Sequence, residues 1–188
     1  FFGERQAIVI NNAGTWVTWQ QSICGGFDQD PSTGVVRLNR LTPDGLPLDN
    51  AGIAIQSDPT CGFVTPPVIA TIPSPSTDSI VTTRGLSDLG QQPLVAYAPD
   101  AQPTWIPGFT TANPSAIQQL AALPTGDIIV ASINSATIRL DRLSPDGTHQ
   151  ASTDHTSPSG ANFVVRAVIP APTADHDTAF SLIWAAPP

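Results

Sequence analysis

The chain is 188 residues long, 40% hydrophobic and only 12% charged, with a formal net charge of −8 from 15 acidic residues against seven arginines and no lysine. So few scattered cations cannot lay down the electropositive stripe that a nucleic-acid backbone or an anionic membrane surface requires, which argues against both as partners. No apolar run approaches the roughly 20 residues of a membrane-spanning helix, and 20 prolines spread along the chain argue against long helices of any kind.

Taken in chain order, short apolar runs alternate with turn residues. Residues 7–10 (Ala-Ile-Val-Ile) and 16–19 (Trp-Val-Thr-Trp) predict two strands, and residues 35–41 a third. The third runs into Thr-Pro-Asp-Gly, and residues 49–55 predict a fourth, outer strand. The order then restarts. Residues 68–73 and 80–83 predict a first and a second strand, and residues 94–97 a third that ends in Pro-Asp. Residues 120–124, 128–131 and 137–143 repeat it again, with residues 148–153 as a poorer outer strand. Residues 165–170 and 179–184 begin a fourth unit that stops at Pro188. Residues 115–123 read alone as a two-turn helix, with a serine at the cap position and apolar Ile117, Leu120 and Ala121 at helical spacing. Aligning the units makes the second half of that segment a strand, which is the reading adopted.

The repeat is explicit in one stretch. Residues 37–45, Arg-Leu-Asn-Arg-Leu-Thr-Pro-Asp-Gly, return at 139–147 as Arg-Leu-Asp-Arg-Leu-Ser-Pro-Asp-Gly. A unit of about 50 residues falls in the range of solenoids and propellers. Pro-Asp-Gly ends the strand for local reasons: proline pre-sets φ, Asp44 and Asp146 cap the following amide, and Gly45 and Gly147 accept a positive φ. The expected fold is all-β: a β-propeller-like array of four-stranded antiparallel blades, about three and a half in number. It forms a single repeat domain over 1–188, with blades at 7–60, 67–112 and 116–158 and a half blade at 161–188. The absence of methionine and of a basic-then-apolar opening reads as a processed chain or a piece of a longer one.

The string Gly-Thr-Trp-Val-Thr-Trp, then Arg-Leu-x-Arg-Leu-Thr-Pro-Asp-Gly, then Leu-x-Leu-Asp resembles the Pro-Asp-Gly propeller repeats of large secreted bacterial proteins, the delta-60 type included. Residues 7–55 match best and 126–147 well. The resemblance implies a repeat scaffold presenting a surface, and it is nearly silent on activity.

Several residues carry site expectations. Cys24 and Cys61 are read as a disulfide, which implies an extracellular, periplasmic or cell-surface location. Arg40 and Arg142 stand on the apolar face of their strands. They are either anion clamps or, as expected here, guanidiniums bonded to carbonyls or an acid between blades. Asp28, Asp30 and Ser32 alternate in a loop as calcium ligands do, although a solvated hairpin loop explains them as well; calcium is the one cofactor considered. Asp175, His176 and Asp177 resemble a metal cluster, but Asp78, Asp127 and Asp177 each precede a second strand, which points to turn chemistry. His149 and His155 fall in a polar stretch, 148–160, read as exposed loop. Trp105 and Tyr97 are the candidate ligand-binding rings for a sugar. No nucleophile elbow, zinc-protease motif or phosphate loop is present.

The expected function is therefore a non-enzymatic extracellular repeat module serving as a binding, adhesion or assembly surface. Its partners would be a protein or glycan surface, or further blades from the same parent chain or a second chain. The alternatives are a glycan-binding propeller and a hydrolase using aspartates at the propeller mouth.

Overall fold

The computed structural model describes residues 3–22, 34–49, 52–58, 67–83, 93–105, 109–111, 116–157, 160, 164–171 and 180–185. Among these residues there are strands and turns and no helix. The first sheet is a meander of β1 (Gly3–Asn11), β2 (Gly14–Ser22), β3 (Gly34–Leu41) and β4 (Ile53–Asp58). The second holds β5 (Ile69–Ile72), β6 (Ser79–Thr83) and β7 (Leu94–Tyr97). The third is again four-stranded: β8 (Ala116–Ala122), β9 (Ile128–Asn134), β10 (Thr137–Leu143) and β11 (His149–Thr156). The fourth pairs β12 (Val164–Pro170) with β13 (Phe180–Ala185). Every pairing is antiparallel between chain neighbours.

The sheets stack in chain order, first strand beside first strand, with β5 next to β1 and β8, and β12 next to β8. Period-two alternation gives each strand two faces, and the apolar residues of facing sheets meet in three layers. Trp16, Val36, Leu38 and Ile55 of the first sheet pack on Ile80, Val95 and Tyr97 of the second. Ala70, Ile72, Val81, Leu94 and Ala96 of the second pack on Ile117, Leu120, Ile128, Val130 and Leu143 of the third. Ala121, Ile129, Ala131, Ile138 and Leu140 of the third pack on Val165 and Val168 of the fourth. A strand covered on both sides must be apolar on both, and β9 opens Ile-Ile-Val-Ala-Ser with all five residues buried.

The Pro-Asp-Gly turns have one geometry. Thr42 N–H donates to Leu46 O (2.8 Å) and Gly45 N–H to Thr42 O (2.9 Å); Ser144, Thr148 and Gly147 repeat the pair at 2.9 and 2.9 Å. This is a type I turn closed by a left-handed residue, with φ of +79° at Gly45 and +86° at Gly147. The weaker copy, Ala98-Pro99-Asp100-Ala101-Gln102, makes the same two bonds at 2.9 and 2.8 Å with an alanine at φ +63°. Leu123-Pro124-Thr125-Gly126-Asp127 makes them too, between a first and a second strand.

One expectation needs correction, and two open readings are decided. The second sheet has three described strands, not four. Beyond the turn, irregular chain lies along β7 instead, with Thr104 N–H donating to Ala96 O (2.8 Å) and Leu94 N–H to Phe109 O (2.7 Å); Pro103, lacking an N–H, cannot continue a ladder. Residues 149–156 form β11, which bears out the poorer outer strand expected over 148–153 and replaces the loop reading as far as Thr156, although every residue of that strand is exposed. The helix-like segment is β8 from residue 116 onward. A bulge between Ile117 and Gln119 lets Ile117 and Leu120, three apart, face the same layer.

Candidate functional site

Two arrangements on the outer half of the third sheet carry chemistry, one on each face of the β10–β11 hairpin. Facing the second sheet is a polar ladder. The register sets Asp141 opposite Ser152 and Arg139 opposite Asp154. Arg139 Nε lies 3.1 Å from Asp141 Oδ1, its Nη2 donates to Ser152 Oγ at 2.8 Å, and its Nη1 lies 3.5 Å from Asp154 Oδ1. His149 Nε2 is 2.8 Å from Ser152 Oγ and 3.2 Å from Asp141 Oδ1, and its ring stacks on Phe109 at 5.9 Å.

Serine, histidine and aspartate thus meet, but not as a proton relay. A nucleophilic triad needs one imidazole nitrogen on the hydroxyl and the other on the acid. Here one nitrogen faces both, and Ser152 Oγ itself donates to Asp141 Oδ1 at 2.6 Å. The hydroxyl proton is committed to the carboxylate, so nothing draws it toward the ring. The ladder anchors an exposed outer strand: Asp141, 2% exposed, is the buried acceptor on which Arg139, His149 and Ser152 converge. Sequence reasoning missed it because the hairpin register brings its members together.

Facing the fourth sheet is a groove of about 210 Å³ lined by Ile129, Leu140, Asp141, Arg142, Ala151, Thr153 and His155, with Phe180 as one wall. Its floor is apolar, and its rim carries a guanidinium, an imidazole and a hydroxyl. It lies beside β13, which pairs with β12 alone among the described strands.

Of the signature arginines, Arg40 ties two sheets together and Arg142 bonds an acid within its own sheet. Arg40 Nη1 donates to Pro99 O of the second sheet's turn at 2.8 Å, and the guanidinium sits 5.9 Å from the Trp16 ring centre, as a cation–π contact. Arg142 Nε donates to Asp127 Oδ2 at 2.8 Å, and its Nη2 pairs with the same oxygen. One guanidinium thus meets a carbonyl and the other an acid.

Asp44 and Gly45 are turn residues on the first sheet, and Asp146 and Gly147 on the third. The Asp146 carboxyl is held below its usual 3.8, first by the Ser144 hydroxyl and then by the Thr148 N–H, which donates to Oδ1 at 3.0 Å. Asp78 bonds the Ser74 N–H (3.0 Å) and the Asn12 N–H (3.2 Å), and so ties the first turns of the first two sheets together.

Neither candidate ring offers a face to solvent. Trp105 is 6% exposed, lies over Gly147 and donates Nε1–H to Pro145 O at 3.1 Å. Tyr97 is 3% exposed in the layer between the first two sheets. Irregular chain bearing proline reads as exposed loop, but here residues 103–105 lie back over β7 and the Trp105 ring is buried. Cys24, Cys61, Asp28, Asp30, Ser32, Asp175, His176 and Asp177 lie outside the described residues. Among the described residues no group of three or more His, Cys, Asp or Glu side chains is placed to hold a metal ion.

Searches against protein-family models, curated proteins and solved structures returned no match.

Proposed function

We propose that the chain is a non-enzymatic binding and assembly module, whose four sheets are successive blades of a propeller-like array that continues across copies. The observation that carries this reading is the state of the outer face of the first sheet. Ile8 opposite Val17 stands where Leu120 opposite Val130 stands in the third sheet, and Ile10 opposite Thr15 where Ala122 opposite Ile128 stands. Leu120 is 8% and Val130 0% exposed, because the second sheet covers them; Ile8 is 59% and Ile10 76% exposed. The far end is alike: Ile169 and Ile183 are half-exposed on the outer face of the fourth sheet, at positions whose third-sheet counterparts, Ala121 and Ala131, are buried.

Two apolar end faces of opposite kind support head-to-tail association of the sort that closes rings or builds filaments. The extracellular setting rests on the cysteine pair and on the resemblance to secreted repeats. Sedimentation of three samples tests the assembly. The unaltered chain should associate at micromolar concentration. I8D/I10D and I169D/I183D should each be monomeric, and an equimolar mixture of the two should form a dimer, because each supplies the face that the other lacks. A monomeric unaltered chain, or a mixture that stays monomeric, would refute the reading.

A further inference from the structure

Pro-Asp-Gly occurs twice, at 43–45 and 145–147, and these turns hold the two Asp-Gly steps of the sequence. At such a step a main-chain nitrogen can attack the preceding carboxyl, because glycine has no Cβ to shield it. The two turns share their backbone. Gly45 N–H donates to Thr42 O and Gly147 N–H to Ser144 O, both at 2.9 Å, with φ of +79° and +86°. Their side chains differ. Asp146 Oδ1 accepts from the Ser144 hydroxyl and, at 3.0 Å, from the Thr148 N–H, which holds that carboxyl below its ordinary 3.8. The Trp105 ring lies over Gly147, 2.8 Å from where a Cβ would stand, and its Nε1–H is fixed on Pro145 O at 3.1 Å. In the first turn the Thr42 hydroxyl serves the main chain instead, accepting from the Leu46 N–H at 3.1 Å. Asp44 is exposed, its carboxylate makes no hydrogen bond among the described residues, and a Cβ at Gly45 would meet nothing within 4 Å.

We propose that Asp44 is a site of spontaneous isoaspartate formation and that Asp146 is its protected twin. The Gly45 nitrogen bonds to Asp44 Cγ. One carboxyl oxygen leaves as water, taking the amide proton and the carboxyl proton, and a succinimide closes. Water then adds back at either carbonyl. Addition at Cγ restores aspartate. Addition at the main-chain carbon breaks its bond to nitrogen and gives isoaspartate, in which the chain runs through Cβ and Cγ and the old main-chain carbonyl is a free carboxylate. Water is lost and regained, so the mass is unchanged and no co-reactant is consumed. Closure requires the Asp-Gly peptide to rotate out of the turn, which breaks the glycine N–H bond equally in both. At Asp44 nothing further has to move. At Asp146 the carboxyl must also leave Ser144 and Thr148, and the peptide must rotate against the held Trp105 ring. Breaking one hydrogen bond to a charged group slows such an opening by about tenfold or more. The proposal goes beyond the assembly reading and does not depend on it.

The test ages the full chain at mildly acidic pH and physiological temperature, then digests it with trypsin. Cleavage after arginine places the two steps in separate peptides, 41–84 and 143–166. Electron-transfer fragmentation locates each isoaspartate, and methylation by an isoaspartyl carboxyl methyltransferase counts them independently. Isoaspartate should accumulate at residue 44 about tenfold or more faster than at residue 146. In guanidinium chloride the two steps should react at similar rates, because their protection differs only in the folded chain. D44E, whose ring would be larger, should abolish the reaction at that position. S144A and W105L should each raise the rate at residue 146 and leave that at residue 44 unchanged; S144A keeps the ring in place, so the two variants separate the carboxyl clamp from the cover. Absence of isoaspartate at residue 44 in the folded chain, equal rates at the two steps, or a difference that persists in guanidinium chloride would overturn the proposal. A rate at residue 146 that neither variant raises would overturn its protection by Ser144 and Trp105.

Discussion

Gly45 and Gly147 occupy the same place in the same turn, with φ of +79° and +86°, yet their surroundings differ completely. A Cβ added at Gly45 would meet nothing within 4 Å, whereas one at Gly147 would lie 2.8 Å from Trp105 Cδ2 and 3.1 Å from both Cε2 and Cε3. The pair therefore separates backbone from packing. For Gly45→Ala only the left-handed conformation counts, about 1–2 kcal/mol, offset by roughly 0.4–1 kcal/mol because alanine lowers the entropy of the unfolded chain. The net destabilisation is about 1 kcal/mol or less. For Gly147→Ala the same backbone contribution applies, plus the cost of forcing a methyl against a ring that cannot swing aside. Trp105 is buried, and its Nε1–H is held by Pro145 O at 3.1 Å. Overpacking of this kind costs about 1–3 kcal/mol, for a total of about 1–4 kcal/mol. Urea unfolding followed by far-ultraviolet circular dichroism measures both variants, and at about 2–4 °C per kcal/mol for a chain of this size the melting points should also separate clearly. The double variant G147A/W105L should show favourable coupling, because the leucine vacates the space that the methyl needs. Equal destabilisation by the two glycine variants would refute the placement of Trp105.

Ala101 occupies that left-handed position in the second sheet at φ +63°, so Ala101→Gly should raise unfolding stability by about 0.5–1 kcal/mol, the strain relieved less the added freedom of the unfolded chain; a loss of stability in the same urea assay would contradict the turn assignment. For Asp146 the sign follows from its lowered pKa. The carboxylate is favoured in the folded chain, so its contribution is present above the ordinary value of 3.8 and is lost as the pH falls through the lower folded value. Carboxyl chemical shifts should give a midpoint below 3.8 that moves up toward it in S144A, and an unmoved midpoint would remove the Ser144 hydroxyl as the principal cause.

What was legible in the sequence was short-range. Alternation and β-branching located nearly every strand to within a few residues, because a strand's apolar side is written every second position. Pro-Asp-Gly announced its turn because proline, a capping carboxylate and a residue tolerant of positive φ act within five residues of one another. The near-identity of residues 37–45 and 139–147 likewise reported equivalent strands, and Arg40 and Arg142 hold equivalent positions opposite Trp16 and Ile129.

The partners were not legible. The neighbouring sheet supplied Pro99 O to Arg40, whereas Arg142 found Asp127 at the start of the adjacent strand of its own sheet, and hairpin register brought His149 and Ser152 to Asp141. A proline-bearing segment looked open until tertiary packing laid Trp105 over Gly147. The bulge in β8 made a strand carry helical spacing, and only the covering sheet shows which way Ile117 and Leu120 face. The end faces and the groove are features of the stack, defined by which apolar surfaces have a neighbour. Local sequence encodes what a segment prefers; burial depends on what lies across from it, and that is decided when distant segments compete for the same apolar surface.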